Sequence, residues 1–540
     1  MLSLTEKQLG ILLVSGALGA LMLTPWTLAP LLLVLWLSPR IRGLALETVD
    51  SGLRERDGLL LRILVVAAPL AYYMLYSPYP PDDLLRDMTA NLHQFDYRNL
   101  YWGSPRLMRG DISYWFSRAV DWLPRVLPQQ YAYLPVCYAL EAGWALVIPL
   151  TLRKAFLHRN PDLPPAQLWA LVAVLSVLVW AQLGFVSRIV QARPENFGAL
   201  LALSAFLVEG VWGELAWGAA MLAFIPMYWL SGIYIPAVLL LRRSGARRAA
   251  WFLVLAGAFA AFWMSGAGGH WWHWFFGMRV AIAHRMAPVA EDLPLRQVLF
   301  TPWIYLFAIF AMVFWRRPGE RQGELPTAKA HAFAVGSASI STQVVVFGLL
   351  CWFALPDMLR YVDDLAPLLA VWLALNSSPA RLRWADTAVF RLLAFCLVLF
   401  MAGGLVPHTG NLPRLEIPGA KPGARVLTSF GPAEYVALYE NPQLRFTPAM
   451  ELGYTRRALQ TLSLDLNTGK ATCAALHRYR VSWVVAHDVA YPGDGLSACL
   501  RLDRSDVHGF QIWRVYSPKA STRMSVQHRG AVHRRGVPHG

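Results

Sequence analysis

WALVAVLSVLVWAQLGF, Trp169–Phe185, contains no charged side chain. Its length approaches the ~20 apolar residues that carry a helix across a hydrocarbon layer. A second run, FRLLAFCLVLFMAGGLV at Phe390–Val406, is as long and carries one charged side chain, Arg391, at its start. The whole chain agrees: of 540 residues 56% are hydrophobic, 13% aromatic and only 15% charged, a balance that does not suit a soluble globular protein of this length. A β-barrel would show short alternating segments instead, so the chain reads as a polytopic α-helical membrane protein.

The charge pattern orients it. A net charge of +16 would suggest nucleic acid in a soluble protein, but here the basic residues fall in short loops between apolar runs. Arg40/Arg42, Arg153/Lys154/Arg159, Arg242/Arg243/Arg247/Arg248, Arg316/Arg317/Arg321 and Arg381/Arg383 can all be placed on one face, which we take as cytoplasmic. No nucleic-acid partner is expected. Gly10–Leu37 is long, lacks a basic start and has no small-residue cleavage site, so it reads as retained. Further spans are expected near 60–77, 131–151, 167–187, 249–267, 297–315, 335–356, 364–377 and 386–405. With the ambiguous stretches 10–37 and 195–241 this makes about 11 to 13 helices.

Two segments leave the apolar pattern on the outer side. Ser77–Gln130 opens with YPPDDLLRDM (Tyr79–Met88) and includes DISYWFSRAVDWLPRVL, whose apolar residues recur at helical spacing and read as an interfacial helix. After Pro407 long apolar runs cease. ARVLTSF, YRVSWVVAHD and FQIWRVYS read as strands and PAEYVALYE as a helix, which makes 407–518 a small α/β domain outside the membrane. The outer compartment permits a disulfide between its Cys473 and Cys499. Residues 519–540 form a basic tail without acids, read as disordered. Residues 1–406, with the outer loop 77–130, form the transmembrane domain.

The acids Asp82 and Asp83 admit a bland reading, a polar loop start in which Asp82 caps a helix. Their setting argues for more, because YPP stiffens the approach and DYRNLYWGSP follows, rich in aromatic and hydrogen-bonding groups. In this setting the chain resembles the GT-C superfamily of integral-membrane glycosyltransferases, similar to bacterial transferases of the mannosyl and aminoarabinose type. That superfamily places an acidic pair in its first large outer loop, where Asp82 and Asp83 stand. SRIVQARPENFG (Ser187–Gly198) looks like its outer Arg-Pro loop, and RYVDDLAP (Arg360–Pro367) is similar to its late Arg-Tyr stretch. The apolar run before Leu60 departs from the simplest layout of the family.

The resemblance implies a GT-C-like fold with a C-terminal extracytoplasmic α/β domain, in a bacterial inner membrane with the site on the periplasmic side. It implies an inverting hexosyl or pentosyl transfer from a polyprenyl-phosphate sugar donor to a lipid, glycan or protein acceptor, without a cofactor or metal. Asp82 is then the base, with Asp83 the runner-up. A carboxylate in hydrogen-bond reach can take the acceptor's proton and stabilise the positive character at the anomeric carbon.

The departing lipid phosphate requires cations on the outer face, against the topological bias, and Arg188, Arg193, Arg279, Arg285 and Arg360 fall there. Asp96, Tyr97, Tyr361, His270 and His273 complete the substrate-binding candidates. His270 and His273 share a helix face but have no clear third ligand, so HWWHWFFGM reads as an aromatic belt rather than a zinc site. Glu141 lies mid-span, where an ionisable group is costly, and is left out of the site. A transporter or flippase for a lipid-linked or envelope sugar is the alternative. It would place its charges along a path near the midplane, whereas these gather at the surfaces.

Overall fold

The computed structural model describes residues 62–69, 82–94, 96–102, 114–180, 192–204, 310–314, 362–378, 415–429, 433–447, 457–487, 494–505 and 509–516, with scattered single or paired positions between 185 and 398. The chain divides into two compact units. One gathers Met1–Pro78, Leu134–Ala260 and Glu291–Gly410, the other Tyr79–Tyr133, Ala261–Ala290 and Asn411–Gly540.

The second unit opens with four short helices, α1 (Asp82–Thr89), α2 (Tyr97–Leu100), α3 (Tyr114–Val120) and α4 (Leu123–Val126). The first unit is helical where it is described: α5 (Leu134–Arg159), α6 (Pro165–Trp180), α7 (Pro194–Ser204) and α8 (Val362–Leu375). α6 has no polar face, and every residue from Ala166 to Trp180 is buried, as a helix apolar all round requires. α5 packs against α6, α7 and α8 through Leu140, Trp144, Ile148, Leu152 and Phe156, which recur at helical spacing. Trp144 meets Phe185 edge to face at 5.0 Å between centroids. Gly143 lets α7 come close, since a Cβ there would stand 2.5 Å from Leu200 Cδ2. Among the described residues one helical stretch, Gln129–Leu157, is long and apolar enough to cross a membrane, and Pro165–Trp180 and Ala366–Leu375 are shorter apolar helices.

The C-terminal part of the second unit carries α9 (Ala433–Glu440), α10 (Arg457–Asn467) and α11 (Cys473–Arg478) around five strands: β1 (Arg425–Thr428), β2 (Arg445–Phe446), β3 (Trp483–His487), β4 (Leu500–Ser505) and β5 (Phe510–Val515). The strand order is β2-β1-β3-β5-β4. β2, β1 and β3 run parallel, with Leu427 opposite Val484, whereas β5 is antiparallel to both β3 and β4. β1 and β3 are buried along nearly their whole length, and Leu427, Val484 and Trp513 enter one core with Leu459, Leu462, Leu466 and Leu476 of α10 and α11. A disulfide joins Cys473 to Cys499, the pair singled out from the sequence.

The sequence reading places loop 77–130 with the membrane spans. In the structure Tyr79–Tyr133 cluster with the C-terminal residues. The physical reason is a set of specific bonds. Tyr101 bridges to Phe446 in parallel register, and the Trp102 amide donates to the Phe446 carbonyl at 3.0 Å, so the loop extends the β2 edge of the sheet. The Trp102 indole N–H donates to Val426 O at 2.9 Å. Further along, Gln129 Nε2 donates to Tyr439 O and the Tyr439 hydroxyl to Gln129 O, each at 2.8 Å.

Candidate functional site

The helix expected to start at the acidic pair does start there. α1 begins at Asp82, behind Pro80 and Pro81 in sequence, and buries Leu84, Leu85 and Met88 where it packs against α9 and α3. Its charged residues are drawn in with it. Arg86 is 5% exposed and Asp87 is 0% exposed, so neither is a solvated surface charge. Arg86 Nη1 lies 3.1 Å from Asp83 Oδ1, and Nη2 lies 3.4 Å from Asp87 Oδ1. One guanidinium thus bridges two carboxylates, using the fork that lysine lacks. Buried charge is tolerated only when paired in this way. Thr89 Oγ1 donates to Arg86 O at 2.8 Å and closes the helix.

The turn after α1 carries a second buried group. His93 is buried, and burial first, then the nearby Arg445 guanidinium, lowers its pKa to about 4. Its Nε2 has no hydrogen-bond partner among the described residues. The His93 carbonyl accepts from the Asp96 amide at 3.1 Å and from Asn99 Nδ2 at 3.2 Å, which ties Asp96 and the start of α2 at Tyr97 to this turn. Asp96 is half-buried. In α9, the phenol of Tyr439 is pushed up by burial and by Glu440.

In the helical unit Arg193 stands just before α7 and is buried. Asn196, in the first turn of α7, is 1% exposed, and neither atom of its amide has a hydrogen-bond partner among the described residues. Glu141 is buried within α5, and its Oε2 has no hydrogen-bond partner among the described residues.

No family model matches this chain, and no curated protein matches it. A solved structure is similar to it: the oligosaccharyltransferase of Archaeoglobus fulgidus in the apo form. The alignment covers 79% of this chain and 69% of that one, at 9% identity and a TM-score of 0.42. A likeness at this score carries no argument about fold or activity.

Asp82, Asp83, Asp96 and Tyr97 therefore belong to one unit, at the backbone of α1, the following turn and α2. Arg193 belongs to the other unit. Arg188, Arg279, Arg285, Arg360, Tyr361, His270 and His273 lie outside the described residues, as do the side chains of Asp82 and Tyr97 and the tail 519–540. Among the described residues no three His, Cys, Asp or Glu side chains gather as metal ligands. Sequence reasoning left Asp87 out of the site and passed over Arg86, His93 and Asn196. Arg86 had a signal, since it stands three residues after Asp83 on an expected helix and could reach it.

Proposed function

We propose that this chain is an integral-membrane glycosyltransferase of GT-C type, which transfers a single sugar from a polyprenyl-phosphate donor to an acceptor on the periplasmic face of a bacterial inner membrane. One observation carries the reading above a solvated polar loop: the acidic segment is built into a folded unit, where buried Arg86 holds Asp83 and Asp87. A spacer has no need to bury an arginine and an aspartate. The apolar stretch Gln129–Leu157 supports the membrane setting, and the Cys473–Cys499 disulfide suits an oxidising compartment.

In this mechanism Asp82 accepts the proton of the acceptor hydroxyl as its oxygen bonds to the anomeric carbon. The bond from that carbon to the phosphate oxygen breaks with inversion, and the electron pair leaves with the polyprenyl phosphate. Arg193, helped by Arg188, Arg279, Arg285 and Arg360, stabilises the departing phosphate. Asp96, Tyr97, Tyr361, His270 and His273 line the sugar or the first isoprene units.

The test is Asp82→Asn in the full chain, with transfer followed by mass comparison of glycolipids and envelope glycans from cells with and without the variant. Loss of transfer with insertion and donor binding retained is expected; full transfer by the variant rejects the assignment. Glu141, buried in α5 with its Oε2 unpartnered among the described residues, favours a second reading, a transporter of a lipid-linked sugar. Flux of labelled lipid through proteoliposomes without acceptor would establish that instead.

A further inference from the structure

Leu459, Leu462 and Leu466 of α10 and Leu476 of α11 pack into the core beneath the sheet. Between the same two helices lies a cavity of about 370 Å³, lined by Leu462, Asp465, Thr472, Ala475, Arg478 and Tyr479. That volume falls in the range of small-ligand sites. Asp465 is half-buried and Arg478 exposed, and among the described residues neither has an ion-pair partner, although both line one cavity. The Arg478 guanidinium instead lies 5.9 Å from the Tyr479 ring centroid. A carboxylate withdrawn from water without a partner is costly unless something hydrogen-bonds to it.

The walls are held from behind. Thr472 Oγ1 accepts the Ala475 amide at 3.3 Å and caps α11, and the next residue, Cys473, is tied to Cys499. The Tyr479 carbonyl accepts from Arg425 Nη1 at 2.8 Å, and its ring lies 6.2 Å from that of Trp102. Groups fixed in advance lose little freedom when a ligand arrives. We infer that this groove binds a saccharide. One carboxylate and one guanidinium cancel, so the cavity has no net charge with which to select a phosphate or a cation. It does have what a ring of hydroxyls needs: Asp465 accepts from them, Arg478 donates to them, and the Thr472 hydroxyl keeps its proton to give. Tyr479, Leu462 and Ala475 offer apolar surface to the ring's C–H bonds. A free amino acid would match the two charges but leave Thr472 and the apolar wall without a role. The inference goes beyond the transferase reading, because the groove holds a sugar whether or not this chain forms the glycosidic bond.

The test is saturation-transfer NMR on the full chain in a detergent without a sugar head. The probes are the methyl glycosides of mannose, glucose, galactose and N-acetylglucosamine, with alanine as the zwitterionic control. At least one glycoside should bind saturably to the parent. Asp465→Asn and Arg478→Gln should each weaken it about tenfold or more, since each removes a hydrogen bond to a charged group. Asp503→Asn, on the exposed face of β4, should bind as the parent does, and all three variants should melt with the parent. Failure of every glycoside to saturate the parent overturns the inference, as does parent-like affinity in both groove variants or an equal loss in Asp503→Asn. Saturable binding of alanine in place of the glycosides overturns the saccharide assignment. No donor is present, so a sugar that binds here and is never extended when a donor is added would sink the transferase reading alone.

Discussion

Replacing Arg86 by methionine keeps most of the side-chain length and removes the charge. Two carboxylates would then face each other's field: Asp83, whose side chain is 16% exposed, and Asp87, whose side chain is 1% exposed. Breaking a buried ion pair by removing one partner costs about 3–5 kcal/mol, because the remaining charge stays desolvated. Asp83 can turn toward water and recover part of its share. Asp87 has no such route, so the lower half of that range, about 3 kcal/mol, is the expected loss. Arg86→Lys keeps the charge but not the fork and should lose less. The assay is thermal unfolding of the full chain in detergent, read beside hydrogen exchange over residues 82–93, where α1 amides should lose protection first. The deficit should shrink as pH falls toward the carboxylate range, because burial of a lone carboxylate favours its protonated form. An Arg86→Met variant within about 0.5 kcal/mol of the parent at neutral pH would refute the claim that this guanidinium neutralises the cluster.

Other perturbations test the remaining joints. His93 has its pKa lowered to about 4 from 6.5, so its contribution is fully present above 6.5 and is lost as pH falls through 4, up to about 3 kcal/mol; His93→Gln should flatten that acid limb in a pH series of melting curves. Trp102→Phe removes the indole donor to Val426 O and should cost about 1–3 kcal/mol, while Trp102→Ala should release the loop from the sheet edge, seen as proteolytic cleavage between α2 and α3. The disulfide closes a loop with a sequence separation of 26, and Cys473→Ser with Cys499→Ser should lower stability by about 3.5 kcal/mol on the chain-entropy model, checked by denaturant unfolding with and without reductant.

Where apolar pattern alone decides structure, sequence reading came close. Spans expected at 131–151, 167–187 and 364–377 correspond to α5, α6 and α8, each within a few residues at its start. β1, β3 and β5 were legible as short runs rich in β-branched and aromatic residues, most of them buried. β4 was not: LRLDRS is exposed along nearly its whole length and takes its strand conformation from pairing with β5. β2 has two residues, too few for any period. α10 was missed although Leu459, Leu462 and Leu466 recur at helical spacing, a signal that was there to be read. DYRNLYWGSP read as a built surface rather than a spacer, and its Tyr101 and Trp102 are 1% and 3% exposed. Their partners, Phe446 and Val426, lie more than three hundred residues away, and no local pattern encodes that pairing.

The acidic pair shows most plainly what tertiary structure adds. In sequence Asp82 and Asp83 are chemically equal neighbours, and nothing local separates a base from a bystander. The packing of α1 against α9 gives Asp83 a partner by burying Arg86 one turn on, with its guanidinium 3.1 Å from Asp83 Oδ1. An oxygen that already accepts from a guanidinium has that lone pair engaged, so protonating Asp83 there would weaken its bond to Arg86. Under the proposed mechanism Asp82 is the proton acceptor, and Asp83 shares the Arg86 guanidinium with Asp87. The two variants should then differ in kind. Asp82→Asn should stop transfer with the melting temperature unchanged, whereas Asp83→Asn should lower the melting temperature and leave some transfer. Equal loss of transfer at equal stability would mean that the carboxylates act as one unit.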